Sequence, residues 1–153
     1  MNRSGPPRRG AEEGSAAVEA GIIISLLLML MVGGVEFGRA LWISNTMLLA
    51  VEDASRYAMV YNHGSPETCG AQSQASLCPT LSNTPLANCS AERAQQVLSA
   101  YRAPSIDVSV NEDTTSSPAT VTICASYSFD FIAPQLLPYG PLSLTHQITV
   151  PLI

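Results

Sequence analysis

The amino-acid sequence predicts an α+β fold: a long N-terminal helix that continues into a small domain with a short helix and a three-stranded antiparallel sheet. Three observations support this prediction. A Pro-free segment of helix formers runs from about residue 16 to about residue 61. Three later segments alternate apolar and polar residues with a period of two, which is typical of strands with one buried face. Four cysteines lie beyond the apolar segment, and an even number suggests disulfides in an oxidising compartment.

The first half of the predicted helix is apolar enough to cross a bilayer. Residues 20–35 contain no charge and would span about 24 Å as a helix. Starting at Ala16 lengthens the span to about 30 Å, the thickness of the hydrocarbon core, and includes Glu19 as its only charge. An ionisable side chain in hydrocarbon costs several kcal/mol, so Glu19 is a candidate functional residue.

The flanking residues predict the orientation of this span. Arg3, Arg8 and Arg9 precede it, and the positive-inside rule therefore places the N-terminus in the cytoplasm and the later residues outside. No small-x-small cleavage site follows Val35, which disfavours a cleaved secretory signal peptide. A permanent, uncleaved anchor stays open as an alternative.

The predicted helix extends beyond the apolar segment. Glu52 and Arg56 are four residues apart in the favourable order for a helical ion pair. We expect the helix to end near residues 62–64, where Asn and Gly precede Pro66. One narrow apolar stripe predicts the face that packs on the sheet: Ile43, Met47, Ala50, Ala54, Tyr57 and Tyr61.

The remainder of the chain is predicted as a loop, a short helix and a strand meander. Residues 64–89 form the loop, and Ser90 is the expected N-cap of a helix that ends near Tyr101. Turns are expected at residues 111–118 and 133–141. The apolar strand positions are Ile106, Val108 and Val110; then Val121, Ile123, Ala125, Tyr127, Phe129 and Phe131; then Leu142, Leu144, His146, Ile148, Val150 and Leu152.

The four cysteines, Cys69, Cys78, Cys89 and Cys124, allow three disulfide pairings. Cys124 lies on the central strand, on the face opposite Ile123 and Ala125. Cys89 directly precedes the expected short helix and could join that helix to the sheet. We therefore favour the pairs 69–78 and 89–124, which would stabilise a small core.

The composition argues against several classes of function. The formal net charge is −5 and the sequence has no basic stripe, so we expect no nucleic-acid partner. His63 and His146 have no cysteine or carboxylate at metal-ligand spacing, and no phosphate-binding Gly-rich loop or serine nucleophile elbow occurs. We expect no catalytic residue, metal or cofactor. An anchored hydrolase is an alternative that a clustered site in the folded domain would support.

The motif "EEGSAAVEA", followed by a long apolar helix, resembles the cleavage region of type IV pilin-like proteins. The longer pattern "GSAAVEAG…GGVEFGRALWISNTMLLAVEDASRYAMV" resembles the TadE-like pseudopilins of bacterial tight-adherence pilus systems. The C-terminal stretch "TVTICASYSFDFIAPQLLPYGPLSLTHQITV" also resembles the strand pair of that family.

The resemblance implies a division of the chain and a site of processing. A prepilin peptidase would cut between Gly14 and Ser15. Residues 1–14 would be a cytoplasmic leader, 15–36 a transmembrane helix, 37–62 its extension and 63–153 a periplasmic α+β domain. The protein would be a single-pass inner-membrane protein, or part of the extracellular pilus after assembly.

The resemblance also implies the partners and the function. The protein would be a minor pilin that supports pilus assembly, adhesion and biofilm formation. Its partners would be the prepilin peptidase, other pseudopilins, the major pilin, the inner-membrane platform and the lipid bilayer.

Glu19, the fifth residue of the mature chain, would act in assembly by pairing with the new α-amino group of Ser15 or of a neighbouring subunit. Alternatively, Glu19 lies solvated at the lipid headgroups.

Overall fold

The structure is a computed structural model that describes residues 9–61, 68–72, 74–132 and 140–152, with side chains described from Gly14 onward. It contains, in chain order, helix α1 (Arg9–Tyr61), helix α2 (Pro85–Ala100) and strands β1 (Asp107–Asp113), β2 (Thr120–Phe129) and β3 (Leu142–Pro151). The chain divides into two units, residues 1–38 and 39–153. The predicted α+β fold, with one long and one short helix, three antiparallel strands and two disulfides, is confirmed.

The first unit contains the apolar part of α1. Its large apolar side chains from Val18 to Val35 are exposed to the surroundings. By length and composition, α1 from Gly14 to Tyr61 could cross a membrane, and it is the one such helix in the described part of the chain. Exposed Leu, Ile and Met side chains in this number are suited to lipid or to other apolar helices rather than to water.

The sheet of the second unit is an antiparallel meander with β2 in the centre. Val110, Ile123 and Ile148 are in register across its three strands, so the predicted apolar positions share one face. β1 extends further than expected, because residues 111–113 pair with residues 120–122 instead of forming the turn. The turn predicted at 133–141 falls largely outside the described residues.

The β1–β2 turn is closed by its own side chains. Asp113 Oδ1 accepts hydrogen bonds from the N–H and the hydroxyl of Thr115, at 2.8 and 2.6 Å. These bonds, the hydroxyl's first, hold the pKa of the Asp113 carboxyl below its ordinary value, since they favour the charged form.

The second half of α1 covers the apolar face of the sheet, as predicted. Ile43, Met47, Ala50 and Ala54 are buried in one cluster with β1, β2 and β3. The outer end of the predicted stripe is wrong: Tyr61 is exposed, and Val51 and Ala58 are buried in its place. The buried face is wider than a single stripe, as is usual for a helix that packs against a core. The helix end predicted at residues 62–64 lies beyond the described part of α1.

Helix α2 begins earlier than the sequence suggested. Thr84, not Ser90, is the N-cap, and its Oγ1 accepts a hydrogen bond from the N–H of Ala87. Pro85 occupies the first turn, where its missing N–H costs nothing and its fixed φ suits a helix. Ser90 is fully buried inside the helix. The predicted loop therefore ends before Pro85 rather than at residue 89.

The outer edge of β1 is covered by the loop that precedes α2. Gln72 Nε2 donates to the carbonyl oxygen of Val110 at 2.8 Å, and the N–H of Val110 donates to Gln72 Oε1 at 2.6 Å. Ser82 adds a backbone hydrogen bond to the same carbonyl. The side-chain amide of Gln72 thus takes the place of a neighbouring strand. It forms hydrogen bonds with backbone groups that would otherwise be unpaired at the edge of the sheet.

Candidate processing and assembly segment

The residues predicted to be processed and to act in assembly lie on the first unit's part of α1. Gly14, Ser15 and Glu19 are all helical and exposed. Ser15 and Glu19 are separated by four positions, so they lie one above the other on the same side of the helix. Among the described residues Glu19 makes no ion pair, so its charge is available to a group outside this part of the chain.

Gly14 is not required by the helix itself. A Cβ at this position would meet no atom within 4 Å, and no described glycine has a positive φ. A glycine inside a helix costs about 1 kcal/mol relative to alanine, so the helix is easier to unwind at this residue. A requirement for glycine at position 14 would therefore come from a molecule that acts on the chain.

The apolar helix carries small residues that permit close approach of another helix. Cβ atoms built at Gly21, Gly33, Gly34 and Gly38 would meet nothing, so these positions expose backbone on the helix surface. The hydroxyl of Ser25 donates to the carbonyl of Ile22 at 2.8 Å, which satisfies it within the helix. Small residues at a helix surface favour association in lipid, where packing replaces the hydrophobic effect.

All four cysteines are paired, but the expected pairing is wrong. The bonds are Cys69–Cys89 and Cys78–Cys124, with Cα atoms 5.1 and 5.8 Å apart. Cys89 lies within α2 and is buried, instead of preceding the helix, and Cys69 is the cysteine close to it. Cys78 is the cysteine close to Cys124 on the central strand.

Each disulfide holds a different part of the loop. Cys69–Cys89 joins the beginning of the loop to α2, and Cys78–Cys124 joins its middle to the central strand. Cys124 lies on the sheet face opposite Ile123 and Ala125, as predicted. Ala75 is fully buried, so the loop packs closely near the second bond. The loop is therefore fixed to both the helix and the sheet.

His146 lies on the apolar sheet face, as predicted, and has a partner that the sequence analysis missed. Its Nε2 is 2.8 Å from the hydroxyl oxygen of Ser44 on α1. His146 also lines a groove of about 240 Å³ together with Glu52. Glu52 Oε1, however, accepts a hydrogen bond from Arg56 at 2.6 Å, the ion pair that the helix spacing predicted.

The chemistry of this contact is limited by its surroundings. In the described part of the chain, no carboxylate hydrogen-bonds to His146, so the imidazole lacks the third group that orients the base of a catalytic triad. The same residues include no group of three or more His, Cys, Asp or Glu that could hold a metal. His63 lies outside the described residues.

A second groove lies between the end of α1 and α2, beside the Cys69–Cys89 bond, with a volume of about 480 Å³. Arg93 on α2 donates to Asp53 on α1 at 2.7 Å across it. Both side chains are partly exposed, and such surface pairs contribute little stability, about 0–1 kcal/mol. The groove is open and polar, and its arginines are already paired with carboxylates.

Residues 14–56 match the TadE-like protein family. The TadE-like match confirms the resemblance over the apolar helix and the first part of its extension, and it begins at the predicted processing residue. No curated protein and no solved structure matches the chain significantly. The TadE-like segment indicates a protein associated with the components of tight-adherence pili, and its apolar helix is compatible with a single-pass membrane anchor.

Proposed function

We propose that the protein is a minor pilin, or pseudopilin, of a tight-adherence type IV pilus. A prepilin peptidase removes residues 1–14, and the mature subunit supports pilus assembly, adhesion and biofilm formation. The N-terminus faces the cytoplasm and the second unit faces the periplasm. The partners are other pseudopilins, the major pilin and the inner-membrane platform of the pilus.

The observation that carries the proposal is the TadE-like match over residues 14–56. It begins at Gly14 and includes both the exposed apolar helix and the part of α1 that packs on the sheet. An apolar helix with accessible small residues supports a subunit that exchanges lipid neighbours for other helices. A domain fixed by two disulfides supports a location in an oxidising compartment such as the periplasm.

Removal of the leader removes the arginines that fix the orientation of the apolar helix in the membrane. The cut removes Arg3, Arg8 and Arg9 together with two glutamates, leaving four of seven arginines and ten of twelve acids, a formal charge of −6. The mature chain therefore has no cluster of arginines on the cytoplasmic side of the apolar helix. Extraction of the helix into a pilus then requires no transfer of leader arginines through the bilayer.

The role proposed is structural and not catalytic. The Ser44–His146 contact lacks an orienting carboxylate in the described residues, and it joins α1 to β3, which suits a packing role. If the chain is never cleaved, it is instead a permanently anchored periplasmic binding or scaffold module.

The mass and the N-terminal sequence of the protein from native membranes test the proposal. We expect a mature chain that begins at Ser15. Gly14→Ala should still insert but should accumulate as the full-length chain, because alanine fits the helix at this position and only the peptidase distinguishes it. Gly10→Ala in the leader is the matched control and should be cleaved normally. A wild-type protein that retains residue 1, or a Gly14→Ala chain that begins at Ser15, contradicts the assigned site.

A further inference from the structure

The second unit begins at Arg39, and we call the end of the unit that surrounds this residue the Arg39 end. The guanidinium carbon of Arg39 lies 4.9 Å from the centre of the Phe129 ring. Phe129 closes β2 and is paired in register with Leu142, the first residue of β3. The β2–β3 end of the sheet therefore lies beside the start of this unit's helix.

The Arg39 end exposes large apolar side chains from two separate parts of the chain. On the helix, Leu41 and Trp42 are 47% and 46% exposed. At the end of the sheet, Leu142 is 45% exposed. Ile132, which follows the last residue of β2, Phe129, by three positions, is 69% exposed. Apolar surface of this kind is unfavourable in water and marks a contact with another apolar phase or molecule.

The chain itself indicates what that phase is. Immediately before Arg39 lies the exposed apolar helix, so Leu41 and Trp42 follow the proposed membrane span within a few residues. The β2–β3 end of the sheet is placed beside them by the contact between Arg39 and Phe129. Trp42 is the only tryptophan in the sequence, and tryptophan prefers the headgroup level of a bilayer.

We propose that the Arg39 end is a second membrane contact: Leu41, Trp42, Ile132 and Leu142 enter the headgroup region of the bilayer from which the helix emerges. The contact rests on the membrane anchoring in the proposed function. Asp130 is also exposed at this end, and its carboxylate requires water, so the contact is interfacial and does not reach the hydrocarbon centre. The domain is therefore held against the membrane surface before assembly and must release it when the subunit leaves.

Quenching of tryptophan emission by brominated lipid measures this contact. The full-length chain is reconstituted into vesicles of phosphatidylcholine with or without bromine on the upper acyl carbons. Wild type reports on Trp42. In a Trp42→Phe background, Leu142→Trp and Ile132→Trp report on the sheet. Val60→Trp in the same background is the control, since residue 60 is exposed on the same helix, about 27 Å along its axis from Trp42.

We expect wild type, Leu142→Trp and Ile132→Trp to lose most of their emission in brominated vesicles, and Val60→Trp to keep it. Complete pairing of the four cysteines in each variant, checked by thiol titration, verifies the fold. Quenching of Trp42 without quenching in either sheet variant overturns the membrane contact and leaves the anchor intact. Absence of quenching at Trp42 as well overturns the contact, whereas recovery of the chain outside the vesicle fraction overturns the membrane anchoring. Equal quenching of Val60→Trp would show unspecific adsorption and overturn the contact.

Discussion

The hydroxyl of Ser44 and Nε2 of His146 meet at 2.8 Å, although 102 residues separate them in the sequence. Ser44 lies on the part of α1 that covers the sheet, and His146 lies on β3, the edge strand. The hydrogen bond therefore links the N-terminal helix to the last strand of the meander. It is partly buried, so the loss of one partner leaves the other with reduced access to water.

Ser44→Ala should lower the stability of the domain by about 0.5–1.5 kcal/mol, the usual net contribution of one hydrogen bond. Thermal unfolding of the full chain in detergent micelles, followed by near-ultraviolet circular dichroism, measures this loss. Ser143→Ala, at an exposed position on the same strand, is the control and should be neutral. A serine-directed fluorophosphonate should leave Ser44 unmodified; specific labelling there would instead favour the hydrolase alternative.

The two disulfides should contribute unequally to stability. Cys78–Cys124 closes a separation of 46 residues and Cys69–Cys89 one of 20. In the chain-entropy description, these loops correspond to about 4 and about 3 kcal/mol. The paired replacement of Cys78 and Cys124 by alanine should therefore destabilise the domain more than that of Cys69 and Cys89.

Thermal unfolding of the two paired variants compares these effects, and mass spectrometry of linked peptides from the unreduced protein checks the pairing itself. Denatured, unreduced wild type should contain no titratable thiol. A linked peptide that joins residues 69 and 78 would contradict the structure. Greater sensitivity to loss of the 69–89 bond would show that native-state packing, and not loop closure, dominates.

Gln72 should contribute more to the stability of the domain than a loop glutamine usually does. Its amide serves both backbone groups of Val110, and Nε2 also donates to the carbonyl of Ser82 at 2.6 Å. Gln72→Glu keeps the shape but cannot donate, and its carboxylate oxygen would face the carbonyl oxygens of Ser82 and Val110, so it should destabilise the domain by about 1–3 kcal/mol. Gln147→Glu, exposed on β3, should be neutral in the same unfolding measurement. Equal effects of the two would show that the β1 edge is satisfied in another way.

The fold was largely predictable because its patterns are periodic and local. The period-two apolar positions of β2 and β3 specify one buried face, and they fall on that face in the register of the sheet. The apolar length of α1 likewise specifies a helix that no small core could enclose. The i,i+4 pair of Glu52 and Arg56 required only helical geometry.

The missed features depend on contacts between distant residues or on a choice between two possible N-cap residues. The Ser44–His146 bond and the Gln72–Val110 bonds join elements whose approach is fixed only by the packed core. The N-cap was misplaced because Thr84 and Ser90 are both suitable caps; Pro85 next to Thr84 was the local feature that favoured the earlier start. The earlier start places Cys89 inside α2, where its partner is Cys69 and not Cys124.

Glu19 is the residue for which the proposed processing makes a separate prediction. Cleavage after Gly14 creates an α-amino group on Ser15, with a reference pKa of about 7.7–8, so it is charged over much of the neutral range. Ser15 and Glu19 are exposed on one side of the helix, one turn apart, and within reach of each other or of a neighbouring subunit. A carboxylate paired in an apolar setting fixes the position of the groups more than it adds stability.

Glu19→Gln and Glu19→Val should therefore leave insertion and the disulfides intact but reduce both co-purification with partner pilins and the number of pili on the cell. Glu92→Gln, which removes an exposed charge from α2, is the control and should assemble normally. The alternative, in which Glu19 is solvated among the lipid headgroups, gives a different result: glutamine is well tolerated there, and valine merely lengthens the apolar span. Wild-type piliation and partner recovery in both Glu19 variants would favour the headgroup position. Loss of both piliation and partner recovery in Glu19→Gln favours the ion pair between Glu19 and an α-amino group, because that variant removes the charge while the side chain keeps its size and polarity.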